Sequence, residues 1–163
     1  MESDATLPTP ADFVTFVPIQ TRWMDNDVYG HINNVLYYSY FDTAINLVLV
    51  RAAGLDIHAG PVIGLCVESQ CRYVAPAAYP DALEAGLAVA RLGRSSVTYA
   101  LGIFRVDDAT AATGPTDPIA PTDRAGRSLL AFGRFVHVFV DRLTRRPTPL
   151  PDAMRQALAP LVR

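Results

Sequence analysis

The stretch that decides the fold of this chain is NVLYYSYFDTAINLVLVRAA, residues 34–53. It predicts a helix, with Asn33 or Asn34 as the N-cap and Gly54 as the stop. The apolar side chains of this segment do not keep to one stripe but cover nearly all sides of the helix. Because a helix that is apolar all round is a buried helix, other parts of the chain must wrap it.

The rest of the sequence supplies strands for that purpose. Residues 12–23 are rich in β-branched and aromatic types and predict a first strand, which Pro18 could interrupt. Four more strands are predicted over 61–74, 82–92, 96–106 and 128–140, although Ala, Leu and Glu in 82–92 also fit a helix. Consecutive strands imply an antiparallel sheet. We therefore expect an α+β protein, with a single antiparallel sheet of about five strands wrapped around one long buried helix.

Length and charge exclude several classes of protein. The chain has 163 residues, half of them hydrophobic, and a formal net charge of −2, which suits one domain with a substantial core. It contains no extended basic run, so we expect no nucleic-acid partner. The first dozen residues do not read as a signal peptide, and no apolar stretch is long enough to cross a bilayer. We expect a cytoplasmic protein without a membrane partner.

Two cysteines, Cys66 and Cys71, fall in the predicted strand 61–74. Five residues of strand span about 16 Å, which is beyond disulfide reach, and the odd spacing would point the two side chains to opposite faces. The pair also lacks the close spacing of a zinc site. We expect both cysteines to be reduced, buried and structural.

A polar loop lies between the first strand and the helix, and its sequence over residues 22–34 is RWMDNDVYGHINN. This string, followed by the aromatic helix start YYSYF at 37–41, resembles the R-x-x-D-x-D-x-x-G-H-x-N-N pattern of the 4-hydroxybenzoyl-CoA thioesterase-like hotdog family. The strand order resembles that family over residues 12–142, and RLGRSS at 91–96 resembles its middle turn. A lone D-x-D carries no information, whereas the full string between a strand and an apolar helix is specific.

The resemblance implies a hotdog fold and a domain layout. We expect a flexible N-terminus over 1–11, a hotdog domain over 12–145 and a C-terminal extension with a short helix over 146–163. A segment at 107–127, rich in Ala, Thr, Pro, Asp and Gly, departs from the family pattern and is expected to be a mobile insertion. Because a single hotdog leaves a sheet edge exposed, the resemblance also implies a homodimer or a tetramer of dimers.

The activity that the resemblance implies is hydrolysis of an acyl-CoA to free CoA and a carboxylic acid. Asp27 matches the family's catalytic carboxylate, which would attack directly to give an anhydride or activate a water. The backbone amide of Asn34 would polarise the carbonyl, since the first turn of a helix leaves N–H groups unpaired. Gly30 would allow a close approach or a positive φ. No cofactor is implied, because CoA is part of the substrate.

Several residues of the motif have two interpretations. Asp27 could simply cap a turn, and Asp25 is expected to be structural, because Asp in a tight loop commonly bonds its own backbone. His31 would act as a general acid or order the loop. A metal held by Asp25, Asp27 and His31 is not expected, since their spacing is unremarkable.

Substrate-binding candidates lie outside the motif. Tyr37 would line the acyl pocket or the core. The turn residues Arg94, Ser95 and Ser96 would contact the pantetheine or the phosphates of CoA, or form an ordinary surface turn. Two other functions remain open: a hydratase or dehydratase using Asp27 with His31, and a non-catalytic acyl-CoA binding protein.

Overall fold

The computed structural model describes residues 6–107 and 125–163. In chain order the elements are β1 (Thr15–Ile19), α1 (Asn34–Arg51), β2 (Val62–Tyr73), β3 (Leu83–Leu92), β4 (Ser96–Val106), β5 (Arg127–Asp141) and α2 (Asp152–Leu158). The strands form one sheet in the order β1-β3-β4-β5-β2, and every neighbouring pair is antiparallel. This five-stranded antiparallel sheet with a helix is consistent with the hotdog fold.

All five predicted strands are present in the described part of the chain, with two informative details. β1 is shorter than predicted and runs through Pro18, which a strand tolerates at the edge of a sheet. The segment 82–92, whose composition also fits a helix, forms β3. β3 lies between β1 and β4, and residues 83–89 are buried there. Burial on both faces of the sheet outweighs the local helix preference of Ala, Leu and Glu.

Helix α1 lies against the sheet along one face. Its buried residues are Tyr37, Tyr40, Phe41, Ala44, Ile45, Val48 and Leu49. The expectation that the helix is wrapped on all sides is wrong for the single chain, because one sheet covers only one side. Val35 on the open side keeps 63% of its surface exposed. The helix also ends at Arg51 rather than at residue 53.

The chain termini and the insertion fall partly outside the described residues. The predicted flexible N-terminus is described only from residue 6, and a short 3-10 turn follows at Pro10–Asp12. The predicted mobile insertion at 107–127 lies outside the described residues for 108–124. At the C-terminus the predicted short helix is α2, and Arg155 donates from it to the carbonyl of Gly93 at 2.6 Å. No helix in the described ranges is long and apolar enough to span a membrane.

The two cysteines are free thiols, as predicted, but their orientation differs from the prediction. A β-bulge between Cys66 and Glu68 resets the alternation of β2, so Cys66 pairs with His137 and Cys71 pairs with Gly133. Because the two partners are four residues apart in β5, both cysteines lie on the same face of the sheet, the face that carries α1. Both cysteines are predicted to be buried, but Cys66 is exposed and Cys71 is partly exposed, because β2 is one of the two edge strands of the sheet.

Candidate active site

The loop between β1 and α1 is fixed against the segment that joins β2 to β3. The N–H of Ile32 donates to the carbonyl of Ala77 at 2.7 Å, and the N–H of Tyr79 donates to Oδ1 of Asn26 at 2.9 Å. Asn26 and Ile32 also form an antiparallel bridge across the loop. The motif residues between Asn26 and Ile32 are therefore held in one tight loop.

Asp27 is the first residue of the turn within this loop. The N–H of Gly30 donates to the carbonyl of Asp27 at 3.1 Å, and Gly30 has φ 81°, which a residue with a side chain rarely adopts. Oδ1 of Asp27 accepts the N–H of Tyr29 at 2.8 Å and, more weakly, that of His31 at 3.5 Å. Oδ2 accepts no hydrogen bond from residues 6–107 or 125–163. Asp27 thus caps a turn with one oxygen and leaves the other available.

The N-terminus of α1 is capped by Asn33 rather than by Asn34. Oδ1 of Asn33 accepts the N–H of Val35 at 3.2 Å, and the carbonyl of Asn33 accepts the N–H of Leu36 at 2.9 Å. The N–H of Asn34 has no acceptor in the part of the chain that the structure describes. A helix start carries a partial positive charge, so this N–H can bind an electronegative atom.

A shallow depression of about 300 Å³ lies beside the helix start. Its lining residues are His31, Ile32, Asn34, Tyr37, Tyr73, Val74, Ala75 and Pro76. The rings of Tyr37 and Tyr73 meet edge to face with centroids 5.2 Å apart, and the hydroxyl of Tyr73 donates to the carbonyl of Asn34 at 2.9 Å. Burial raises the pKa of both tyrosines, so their two hydroxyls stay uncharged.

Tyr73 is a site residue that the sequence reasoning did not find. It lies at the end of β2, far in sequence from the motif, and the alternation of a strand does not show which residue will reach the helix start. Tyr37, predicted to line either the pocket or the core, does both: it is buried and its ring reaches the depression. The side chain of His31 is exposed on the rim, and its backbone contributes to the turn.

The predicted substrate-binding turn lies at the other end of the sheet. Arg94, Ser95 and Ser96 follow β3, whereas the segment that holds the motif loop precedes it. The ten residues of β3 span about 33 Å. Within one chain these three residues are therefore not brought together with Asp27 and Asn34.

Asp25 is the buried acid of the loop. Its carboxylate accepts hydrogen bonds from the side chains of Arg22 and Tyr40. Burial raises the pKa of Asp25, but the bonds from Tyr40 and Arg22 outweigh it and leave the pKa below its ordinary value. With its oxygens engaged in this way, Asp25 is not placed to reach a substrate. In the described ranges no group of three or more His, Cys, Asp or Glu side chains could hold a metal ion.

The model of the thioesterase-like superfamily matches residues 21–158. The chain belongs to this superfamily. It is similar to the crystal structure of the PA5185 protein from Pseudomonas aeruginosa strain PAO1, with 48% identity over 95% of this chain and 96% of that one and a TM-score of 0.81. No curated protein matches the chain.

Two more distant structures share the fold. One is Slr0204, a 1,4-dihydroxy-2-naphthoyl-CoA thioesterase from Synechocystis, with 19% identity, 89% and 95% of the two chains covered and a TM-score of 0.70. The other is a thioesterase from Thermus thermophilus complexed with coenzyme A and zinc, with 24% identity, 90% and 98% covered and a TM-score of 0.66. This member of the thioesterase-like superfamily therefore has fold relatives that are named as thioesterases.

Proposed function

We propose that this chain is an acyl-CoA thioesterase with a hotdog fold of the 4-hydroxybenzoyl-CoA thioesterase-like type, and that it hydrolyses an acyl-CoA to free CoA and a carboxylic acid. One observation carries the proposal. A carboxylate oxygen of Asp27 and the N–H of Asn34 are both left without partners in the described structure, on the two sides of one tight loop. The turn that Asp27 begins leads to His31, and His31 and Asn34 line the same depression.

Each of these groups has a defined part in the proposed hydrolysis. The thioester carbonyl oxygen would accept the N–H of Asn34, where the helix dipole stabilises the developing negative charge. Oδ2 of Asp27 would attack the carbonyl carbon, giving an anhydride as the C–S bond breaks and CoA leaves as a thiolate, and water would then hydrolyse the anhydride. Alternatively, the same oxygen would take a proton from a water that attacks directly. A donor such as the Asn34 amide typically contributes on the order of 3 kcal/mol to the transition state.

The acyl-CoA substrate is supported by chemistry and by a fold relative. The depression is walled by two uncharged aromatic rings, which suit an acyl group rather than a charged one. The thioesterase from Thermus thermophilus is complexed with coenzyme A. The proposed reaction needs no cofactor beyond the CoA of the substrate itself.

We also propose that the protein forms a homodimer, or a tetramer of dimers, through β2. This strand is an outer strand of the sheet, and Val67 on it is 61% exposed. The motif loop presents further exposed apolar side chains, namely Trp23, Met24, Val28 and Tyr29. An unpaired apolar strand edge is a surface that proteins cover, and a second copy offers the matching edge.

Such a dimer would also explain how the turn at residues 94–96 could contribute to a site from which it is distant within one chain. Antiparallel pairing of two β2 strands about a two-fold axis reverses one copy relative to the other. The end of the sheet that carries Arg94, Ser95 and Ser96 in the second copy would then lie beside the Asp27 end of the first. These three residues stay candidates for CoA binding in that arrangement.

Release of free thiol from a panel of acyl-CoA thioesters tests the proposed activity. The critical variant is Asp27→Asn, and Asp56→Asn is its matched control, because Oδ1 of Asp56 accepts two main-chain N–H groups in a similar turn. We expect turnover by the wild type and by Asp56→Asn, and its loss in Asp27→Asn. Equal turnover by Asp27→Asn would remove the catalytic role of Asp27. Binding of acyl-CoA without thiol release would instead indicate a binding protein, and hydration of an enoyl-CoA would indicate a hydratase.

A further inference from the structure

The side chain of Asp25 is the centre of a buried hydrogen-bond network. Only 1% of its surface is exposed. Oδ2 accepts the hydroxyl of Tyr40 at 2.8 Å and the backbone N–H of Arg22 at 2.9 Å, and Oδ1 accepts Nε of Arg22 at 2.9 Å. The second nitrogen of the Arg22 guanidinium lies 2.8 Å from Oδ1. One carboxylate thus joins the segment after β1 to the second turn of α1.

The main chain of Asp25 extends the network to the helix cap. Its carbonyl accepts the N–H of Asn33 at 2.9 Å, and its own N–H donates to the carbonyl of Arg22 at 2.9 Å. Asp25 precedes Asp27 by two residues, and Asn33 precedes Asn34 by one. The Asp25–Asn33 bond therefore closes the loop between the two groups that the proposed reaction uses, with Asp27 two residues inside the loop and Asn34 one residue beyond it.

We infer that Tyr40 is a positioning residue, which through Asp25 holds the loop so that the Asp27 carboxylate and the Asn34 N–H address the same thioester. This inference rests on the proposed function. Tyr40 does not line the depression, and its hydroxyl is directed at Asp25, so it acts on the reaction only through that carboxylate. The bond is a strong one, because its acceptor is charged and buried.

The network also links the loop to pH. The ionisable groups that face Asp25 are Arg22, from the segment after β1, and Tyr40, from α1, and Tyr37 flanks Tyr40 with ring centroids 6.2 Å apart. Burial favours the protonated acid at Asp25, and the bonds from Tyr40 and Arg22 oppose it. Without the Tyr40 hydroxyl, Asp25 takes up its proton at a higher pH. A protonated Asp25 accepts fewer hydrogen bonds, so the loop loosens at that pH.

The decisive comparison is Tyr40→Phe against Tyr38→Phe, which removes the same atom from a tyrosine whose ring packs on Phe135 in the core. The first readout is kcat and KM for acyl-CoA hydrolysis from about pH 3 to about pH 8, a range that includes the ordinary pKa of an aspartate. For Tyr40→Phe we expect kcat to fall about tenfold or more, KM to change little, and the acid limb of the profile to move to higher pH. The second readout is backbone amide exchange, which should become about tenfold to a hundredfold faster at Asn33. Tyr38→Phe should match the wild type in both readouts.

Two further variants keep the test decisive if Tyr40→Phe folds poorly. Arg22→Gln removes the exposed arm of the network and should move the acid limb in the same direction. Asp25→Asn/Tyr40→Phe has no carboxyl to titrate and should lose that movement. A wild-type pH profile and wild-type exchange in Tyr40→Phe would overturn the inference even if its melting temperature fell. If the wild type hydrolyses no acyl-CoA, the proposed function fails, and the exchange comparison alone decides whether Tyr40 positions the loop.

Discussion

The hydroxyl of Tyr99 lies in the interior between α1 and the sheet. The side chain is fully buried, and its oxygen has no hydrogen-bond partner among the described residues. The ring packs edge to face on His137, with centroids 5.3 Å apart. Tyr99→Phe removes only the unpaired hydroxyl and keeps this ring contact, so we expect the variant to be more stable than the wild type.

The size of the effect follows from two opposing quantities. An unpaired buried polar group costs about 1 to 3 kcal/mol. The void left by one oxygen, on the order of 12 Å³, costs roughly 0.3 kcal/mol. The free energy of unfolding should therefore rise by about 0.7 to 2.7 kcal/mol. For a chain of this length that corresponds to an increase in Tm of about 1 to 11 °C.

Tyr40→Phe is the matched control, because it removes the same atom where that atom is bonded to the Asp25 carboxylate. It should lower the free energy of unfolding by about 1.5 to 3 kcal/mol, the usual contribution of a bond to a charged group. Urea unfolding of the wild type and both variants at neutral pH measures the two changes. A loss of stability in Tyr99→Phe similar to that in Tyr40→Phe would refute the reasoning, since it would mean that the Tyr99 hydroxyl is paired.

Three other predictions follow from burial, capping and the open strand. Burial lowers the pKa of His137, so below about pH 6.5 the unfolded chain binds a proton that the folded chain excludes. The free energy of unfolding should therefore fall as the pH drops below about 6.5. Urea unfolding at several pH values should show a smaller fall in His137→Leu. Asn33→Ala removes the cap of α1 and should cost about 1 kcal/mol in thermal unfolding, whereas Asn46→Ala on the same helix should not. Val67→Lys should convert the dimer to monomers, as measured by light scattering, and should reduce thioester turnover. The control Leu7→Lys, also at an exposed position, should change neither the oligomeric state nor the turnover. An unchanged oligomer in Val67→Lys would exclude β2 as the interface.

Most of the fold could be predicted from local composition, because strands made of β-branched and aromatic residues are consistent with their surroundings. The strand β3 could be predicted only with a helix as its alternative, because its burial from both faces of the sheet is not encoded in the residues of 82–92 themselves. One feature could not be predicted. The bulge after Cys66 is set by pairing with β5, and one extra residue there is enough to turn Cys71 to the same face as Cys66.

The candidate site also contains residues that the sequence predicts and residues that it does not. Asp27, Gly30, His31 and Asn34 could be predicted together because they lie in one contiguous loop. Tyr73 and the partnership of Tyr40 with Asp25 could not, because they depend on which residues of distant elements meet the loop. The turn at 94–96 could be proposed from its sequence but not placed, since its distance from Asp27 depends on the length of β3 and on assembly.

The different roles of Asn33 and Asn34 have a consequence for how such a site evolves. The side chain of Asn33 accepts the N–H of Val35, whereas Asn34 offers only its backbone N–H. Under the proposed mechanism, the group that stabilises the reacting carbonyl is then present with any residue except proline at position 34. The residues that line the pocket can change to admit new acyl groups, while the N–H donor at position 34 is kept as long as the helix begins there. Divergent members of such a lineage would keep the reaction and lose the sequence signal for it.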